Sequence, residues 1–215
     1  MKTACLAGAS GLIGSSLFTL LLNDPDYEKI VVLSRRPLPI QHDKLFPLVM
    51  DFDQLGHFNF PFEVQDIFCC LGTTMGKAGS KDAFREVDFN YPLELARLGK
   101  RSGATAFFLV SSVGANKNSL FFYSRIKGQL EEALDELKFP SYHIFRPSLL
   151  LGERPEKRFG EEWIKILFSA FKFFIPKRFR AIDGLVVAKA MHMAKDKKGR
   201  YVHSSEAILR EKFLG

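Results

Sequence analysis

The chain has 215 residues, 47% apolar and 26% charged, proportions that exclude a fibrous or disordered protein and suit one globular domain spanning 1–215. Lys and Arg outnumber Asp and Glu by 31 to 24, a formal charge of +7, which favours anionic partners; the basic residues gather late, from Arg154 to Arg180 and Lys195 to Arg200, with no nucleic-acid motif beside them, so none is expected as a partner. Cys5, Cys69 and Cys70 form neither a C-x-x-C pair nor an even set, and no histidine cluster accompanies them, so a reducing cytoplasm and no metal site are expected.

Lys2 and the apolar residues up to Leu22 superficially resemble a secretory signal, but the small residues Ala7 to Gly11 precede the most apolar part instead of following it, so none is expected. No run of about 18 apolar residues suggests a spanning helix. Thr3 to Ala7 is predicted as a strand, Leu12 to Leu22 as a helix, Lys29 to Ser34 and Leu45 to Met50 as strands, and Gln65 to Leu71 as a fourth strand. Ser80 to Arg101 carries a helical pattern. Ala106 to Ser111 is a fifth strand, Tyr123 to Leu137 a helix, and Tyr142 to Arg146 a sixth strand closed by Pro147. Runs such as Ala106-Phe107-Phe108-Leu109-Val110 are apolar on both faces, as a parallel sheet covered on both sides requires. The alternation predicts an α/β fold: a Rossmann-like, doubly wound parallel sheet with helices on both faces and a small C-terminal substrate-side cap.

The first strand runs into Gly8-Ala9-Ser10-Gly11-Leu12-Ile13-Gly14 and then directly into a helix. Glycines at this spacing let backbone approach a pyrophosphate, while the helix N-terminus offers free N–H groups and positive potential. Gly8, Ser10, Gly11, Leu12, Ile13 and Gly14 are therefore candidate dinucleotide contacts. About 20 residues on, where a carboxylate would accept the ribose 2′-OH of NAD, the chain has Ser34 followed by Arg35 and Arg36. A guanidinium pairs with a 2′-phosphate, so these residues point to NADP (NADPH) as cofactor. Asp51 is open to two readings, a contact to the adenine edge or a turn residue.

Tyr123 and Lys127 stand four apart on a predicted helix and share a face. An ammonium beside a phenol favours the phenolate, which suits proton exchange with a carbonyl oxygen near neutral pH. Ser111 and Ser112 close the fifth strand, where ligand atoms converge in an open parallel sheet.

The glycine turn, Ser112, and Tyr123 with Lys127 resemble the short-chain dehydrogenase/reductase superfamily, with the glycine spacing of its extended and atypical members. Cys70-Leu71-Gly72-Thr73-Thr74, Val87-Asp88-Phe89-Asn90-Tyr91, Ser111-Ser112-Val113-Gly114-Ala115 and Phe145-Arg146-Pro147-Ser148-Leu149-Leu150 resemble the HIV Tat-interacting oxidoreductase-like group of atypical members, over essentially the whole chain from Lys2 to about His203. The resemblance implies a catalytic set of Ser112, Tyr123 and Lys127, with Asn90 as organiser of a water relay. It further implies that Leu71, Gly72 and Thr73 line the cofactor ribose, that Tyr123 and Lys127 also touch the cofactor, and that Pro147 and Leu149 border the nicotinamide. The chain lacks the long C-terminal substrate domain of extended members, so their substrates do not transfer.

These readings imply an NADP-dependent oxidoreductase acting on an apolar small-molecule carbonyl or alcohol. The alternative is an NADPH-binding sensor without turnover. From Trp163 to Ile175 only Lys165, Ser169 and Lys172 are polar, and basic residues follow. That segment reads as a pocket lid or subunit contact, compatible with a homodimer, in preference to a helix lying on a membrane.

Overall fold

A computed structural model describes residues 1–151 and 181–211; the Phe-rich segment and most of the expected cap fall outside them. The elements are β1 (Lys2–Ala7), α1 (Leu12–Leu22), β2 (Tyr27–Ser34), β3 (Leu45–Val49), β4 (Asp66–Cys69), α2 (Met75–Ala78), α3 (Lys81–Arg85), a π turn (Glu86–Asn90) and α4 (Tyr91–Arg101). There follow β5 (Ala106–Val110), α5 (Phe122–Asp135), β6 (Ser141–Arg146), the short pair β7 (Leu150–Leu151) and β8 (Ile182–Asp183), α6 (Gly184–Met193), β9 (Gly199–Ser204) and α7 (Ser205–Glu211). Seven strands form one parallel sheet in the order β3-β2-β1-β4-β5-β6-β9.

The two faces of the sheet bury alternate residues of the same strands. Leu6, Phe68, Phe108 and Phe145 pack against Leu17 and Leu21 of α1 and Val187 and Met191 of α6. Cys5, Ile67, Phe107 and Ile144 pack against Leu95 and Leu98 of α4 and Leu130 and Leu134 of α5. Helical spacings of three and four put each pair on one stripe, and each such side chain contributes about 2 kcal/mol of burial. No described helix is long and apolar enough to cross a membrane.

Two differences from the sequence reading matter for the site. The helix expected over Ser80–Arg101 divides into α3, the π turn and α4. Pro92 has no N–H to donate to the carbonyl four residues back, that of Asp88, and its ring crowds that oxygen; a wider turn relieves both. The sheet also gains a seventh strand, β9. At the edge it exposes Arg200, Tyr201 and Val202, which leaves no clean alternation to read.

Sheet order reverses between β1 and β4: β2 and β3 lie to one side of β1, and β4 and β5 to the other. A crevice opens at the carboxyl ends of strands where such a reversal occurs. The turns after β1, β4, β5 and β6 all converge there.

Candidate active site

Gly8 leaves β1 at φ +90°, and a Cβ there would stand 2.5 Å from the carbonyl oxygen of Cys70. A Cβ on Gly14 would lie 2.0 Å from the carbonyl oxygen of Gly8. Both sites exclude any side chain, so the backbone after β1 lies against the backbone after β4. Gly11 donates its N–H to Gly8 O at 3.0 Å and opens α1 with no side-chain cap. The following amides keep their N–H groups and the positive end of the helix dipole for an anion. Ser10 is exposed, Leu12 half-buried and Ile13 buried. This cradle fits a pyrophosphate.

Ser111 and Ser112 have different surroundings. Ser111 donates to Glu131 Oε1 at 2.5 Å, and Glu131 is in turn gripped by Arg146. Ser112 Oγ is buried and has no hydrogen-bond partner. The turn around it is held by Ser111 N–H to Phe145 O at 2.7 Å and Val113 N–H to Pro147 O at 2.9 Å, which brings Pro147 beside the serine. Leu149 is half-buried, and its carbonyl accepts from Ile182 N–H at 2.9 Å.

Tyr123 stands in the first turn of α5 with its ring tilted against Phe84 at 5.6 Å between centroids, and remains 39% exposed. One turn on, Lys127 is buried, its Nζ 2.8 Å from Asp88 Oδ1. Burial alone would pull the ammonium's pKa down; the charge of Asp88 outweighs this, and the result is raised above the usual lysine value. Asp88 Oδ2 also accepts the N–H of Thr73 at 2.7 Å. Gly72 is exposed between them, with space for a Cβ only 3.4 Å from Asp88 Oδ1 and 3.7 Å from Lys127 Nζ. Leu71 is half-buried beside it.

Asn90 is half-buried. Its Nδ2 donates to Glu86 Oε2 at 2.5 Å, within the π turn, and the side chain of this segment that meets Lys127 is Asp88. Sequence reading passed over Asp88, although Pro92 four residues on was the available signal. Gly128 was passed over as well. A Cβ there would lie 2.2 Å from the backbone nitrogen of Lys117, so only glycine lets the loop after β5 close on α5 next to Lys127.

At the far side of the crevice, Arg35 and Arg36 follow β2 and are exposed. Ser34 Oγ donates to Arg36 O at 2.8 Å and shapes their turn. Asp51 is exposed and caps the short turn Phe52–Gln54, accepting Asp53 N–H. Altogether these turns offer an anion cradle, two exposed guanidiniums, an unpartnered hydroxyl, and a phenol one helical turn from a buried ammonium. That set can bind a phosphorylated ligand and exchange a proton beside it.

No family model matches the chain. It is 40% identical to "Protein HTATIP2" of Rattus norvegicus over 177 residues, 80% of this chain and 70% of that protein. It is 38% identical to "Protein FMP52, mitochondrial" of Candida glabrata over 174 residues, 77% of this chain and 72% of the other. Among solved structures, the Bordetella bronchiseptica enzyme WbmH in complex with NAD+ superposes with a TM-score of 0.73 at 15% identity, over 95% of this chain and 75% of that one. The fungal FMP52 relatives are named mitochondrial, which overturns the expected cytoplasmic location. Unpaired thiols indicate a reducing environment and do not distinguish one reducing compartment from another.

Proposed function

This chain belongs to the HTATIP2 and FMP52 group of atypical short-chain dehydrogenases/reductases, and on that premise we propose that it is an NADPH-dependent oxidoreductase acting on an apolar carbonyl or alcohol. The observation that supports the reading is that the glycine cradle follows β1, the unpartnered Ser112 hydroxyl follows β5 and Lys127, one helical turn from Tyr123, lies beside the turn after β4. A glycine cradle alone suits many phosphate ligands; a phenol and an ammonium beside it suit a reaction that moves a proton.

In this reading Gly8 to Gly14 hold the pyrophosphate, and Arg35 and Arg36 pair with the 2′-phosphate that distinguishes NADP from NAD. Leu71, Gly72 and Thr73 line the adjoining ribose, and Pro147 and Leu149 border the nicotinamide. Bound NADP(H) supplies or accepts the hydride. Ser112 Oγ donates a hydrogen bond to the substrate oxygen. Tyr123 gives its phenolic proton to that oxygen during reduction and takes it back during oxidation. Lys127 stabilises the phenolate and binds ribose hydroxyls. The exposed guanidiniums favour NADPH, and the absence of an acidic residue after β2 disfavours NADH.

The test is a fluorescence titration with NADPH and with NADH, followed by aldehydes, ketones and quinones at saturation. Micromolar NADPH affinity, weaker NADH affinity and consumption of NADPH on a carbonyl are the expected results. Tight binding with no consumption across a broad panel transfers the assignment to a sensor. Failure to bind either nucleotide removes both readings.

A further inference from the structure

The loop that joins β5 to α5 turns two large apolar side chains towards solvent. Leu120 is 94% exposed and Phe121 79%, whereas the next ring, Phe122, is half-buried and meets the buried Phe84 at 5.7 Å between centroids. Single exposed apolar residues are ordinary. An adjacent pair this open leaves the transfer free energy of both side chains unused in the fold.

The exposure is built into the loop. Asn116 N–H donates to Ser124 O at 3.0 Å, Ser119 N–H to Asn116 O at 3.0 Å, and Phe121 N–H to Ser119 Oγ at 3.2 Å. Arg125 reaches back from α5, its Nη1 donating to Ser119 O at 2.8 Å and to Leu120 O at 3.2 Å. The backbone under the tip is thus already fixed, so presenting the pair to a partner requires little further ordering.

The charge around the tip selects the partner. From Ser112 to Arg125 the chain carries Lys117 and Arg125 and no carboxylate. Lys81, at the start of α3, is exposed with its Nζ 5.6 Å from the centre of the Phe122 ring, and the Arg125 guanidinium stands 5.8 Å from the same ring. Lys117 is exposed as well, and its pair with Glu132 is a surface pair that exchanges readily. Against these cations stands Asp82, next to Lys81. Apolar side chains flanked by ammoniums fit the boundary of an anionic lipid surface, where the former enter the acyl region and the latter meet phosphates. A second copy of the chain fits less well: two side chains offer roughly 300–400 Å², against roughly 800 Å² per partner in a stable protein interface.

We propose that Leu120 and Phe121 form an interfacial anchor that docks this protein on an anionic lipid surface, with Lys81 and Lys117 facing the lipid phosphates. The anchor stands apart from the oxidoreductase reading, since it uses neither the glycine cradle nor Ser112, Tyr123 or Lys127.

The test is co-sedimentation of the full chain with vesicles of phosphatidylcholine alone and of phosphatidylcholine with a third phosphatidylglycerol. The wild type should partition onto the anionic vesicles, and less onto neutral ones or in high salt. Leu120→Ser combined with Phe121→Ser should lower the partition coefficient roughly 10-fold or more, with the melting temperature unchanged. Leu120→Phe with Phe121→Leu, which keeps the apolar area, should bind as the wild type does, and Lys81→Glu with Lys117→Glu should remove the preference for anionic vesicles. A wild type that stays in the supernatant overturns the inference. So does undiminished sedimentation after the two serine substitutions, which moves the lipid contact to basic residues elsewhere. A clear fall in melting temperature on the same substitutions also overturns it, because the tip is then packed within the protein, and a concentration-dependent dimer that they abolish assigns the tip to a second copy instead.

Discussion

Two buried aspartates at opposite ends of the strands show what separates a structural cluster from a site. Asp24 lies in the turn before β2, at the amino ends of the strands, and accepts from Lys195 Nζ, from His192 Nε2 at 2.7 Å and from Asp26 N–H at 3.0 Å. Burial pushes its carboxyl up, but these donors outweigh it and the result is lowered. Donors from the end of α6 and from its own turn complete it, and it ties α6 to the α1–β2 corner. Asp88, at the carboxyl ends, has Lys127 Nζ at 2.8 Å and Thr73 N–H at 2.7 Å, yet other groups there stay open: Ser112 Oγ lacks a hydrogen-bond partner and Tyr123 is 39% exposed. The same residue types therefore close one end of the sheet and leave reactive groups open at the other.

Under the proposed function, stability lies at one end and chemistry at the other, and each end can be broken separately. The largest expected effect is at the open end: Tyr123→Phe should lower turnover by about 10²- to 10⁴-fold, with nucleotide affinity and melting temperature retained; full activity would remove Tyr123 as the acid–base group. Next, Asp24→Ala should cost about 2 kcal/mol in denaturant unfolding by removing the acceptor shared by Lys195, His192 and Asp26 N–H, with Lys195 keeping its pair to Asp26, while the folded protein binds NADPH as before. A loss of affinity without a loss of stability would reverse the assignment of the two ends.

A smaller effect is expected on β6 and β9. His143 Nδ1 and His203 Nε2 lie 3.0 Å apart in a buried ring stack, and His143 Nε2 meets Lys197 O at 2.8 Å. Burial, then the neighbouring His143, pushes His203 down to about 4, and burial lowers His143 as well. A histidine whose folded pKa is depressed binds its proton more readily when unfolded. Its stabilisation is thus complete above about pH 6.5 and is lost as the pH falls towards 4. Unfolding free energy should drop by on the order of 2 kcal/mol over that window, and His203→Gln should flatten the slope. The smallest predicted change is Arg35→Ala, with NADPH affinity reduced about 10-fold and NADH affinity unaltered; equal weakening of both would sink the 2′-phosphate assignment.

Much of the site was legible because its parts are local. The turn Gly8–Gly14 advertises itself by glycine spacing between a strand and a helix, and Tyr123 and Lys127 by one helical turn. The choice of Ser112 over Ser111 rested on resemblance, and the structure adds that Ser111 is engaged by Glu131 while Ser112 is not. Asn90 was chosen on the resemblance, and Asp88, in the same quoted segment, was given no role. The π turn rotates the faces of that segment, and Asn90 meets Glu86 while Asp88 meets Lys127.

By itself the amino-acid sequence determined the alternation of apolar runs and helical stripes, hence a parallel sheet covered on both faces, and it determined where the backbone must be bare of side chains. Those features follow from periodicity and from steric limits that act over a few residues. Only the tertiary structure decided which carboxylate faces Lys127, which serine keeps its hydroxyl unpartnered, and that Gly199–Ser204 joins the sheet. These outcomes depend on contacts between residues far apart in the chain, where packing and the pairing of buried polar groups select among locally equivalent choices.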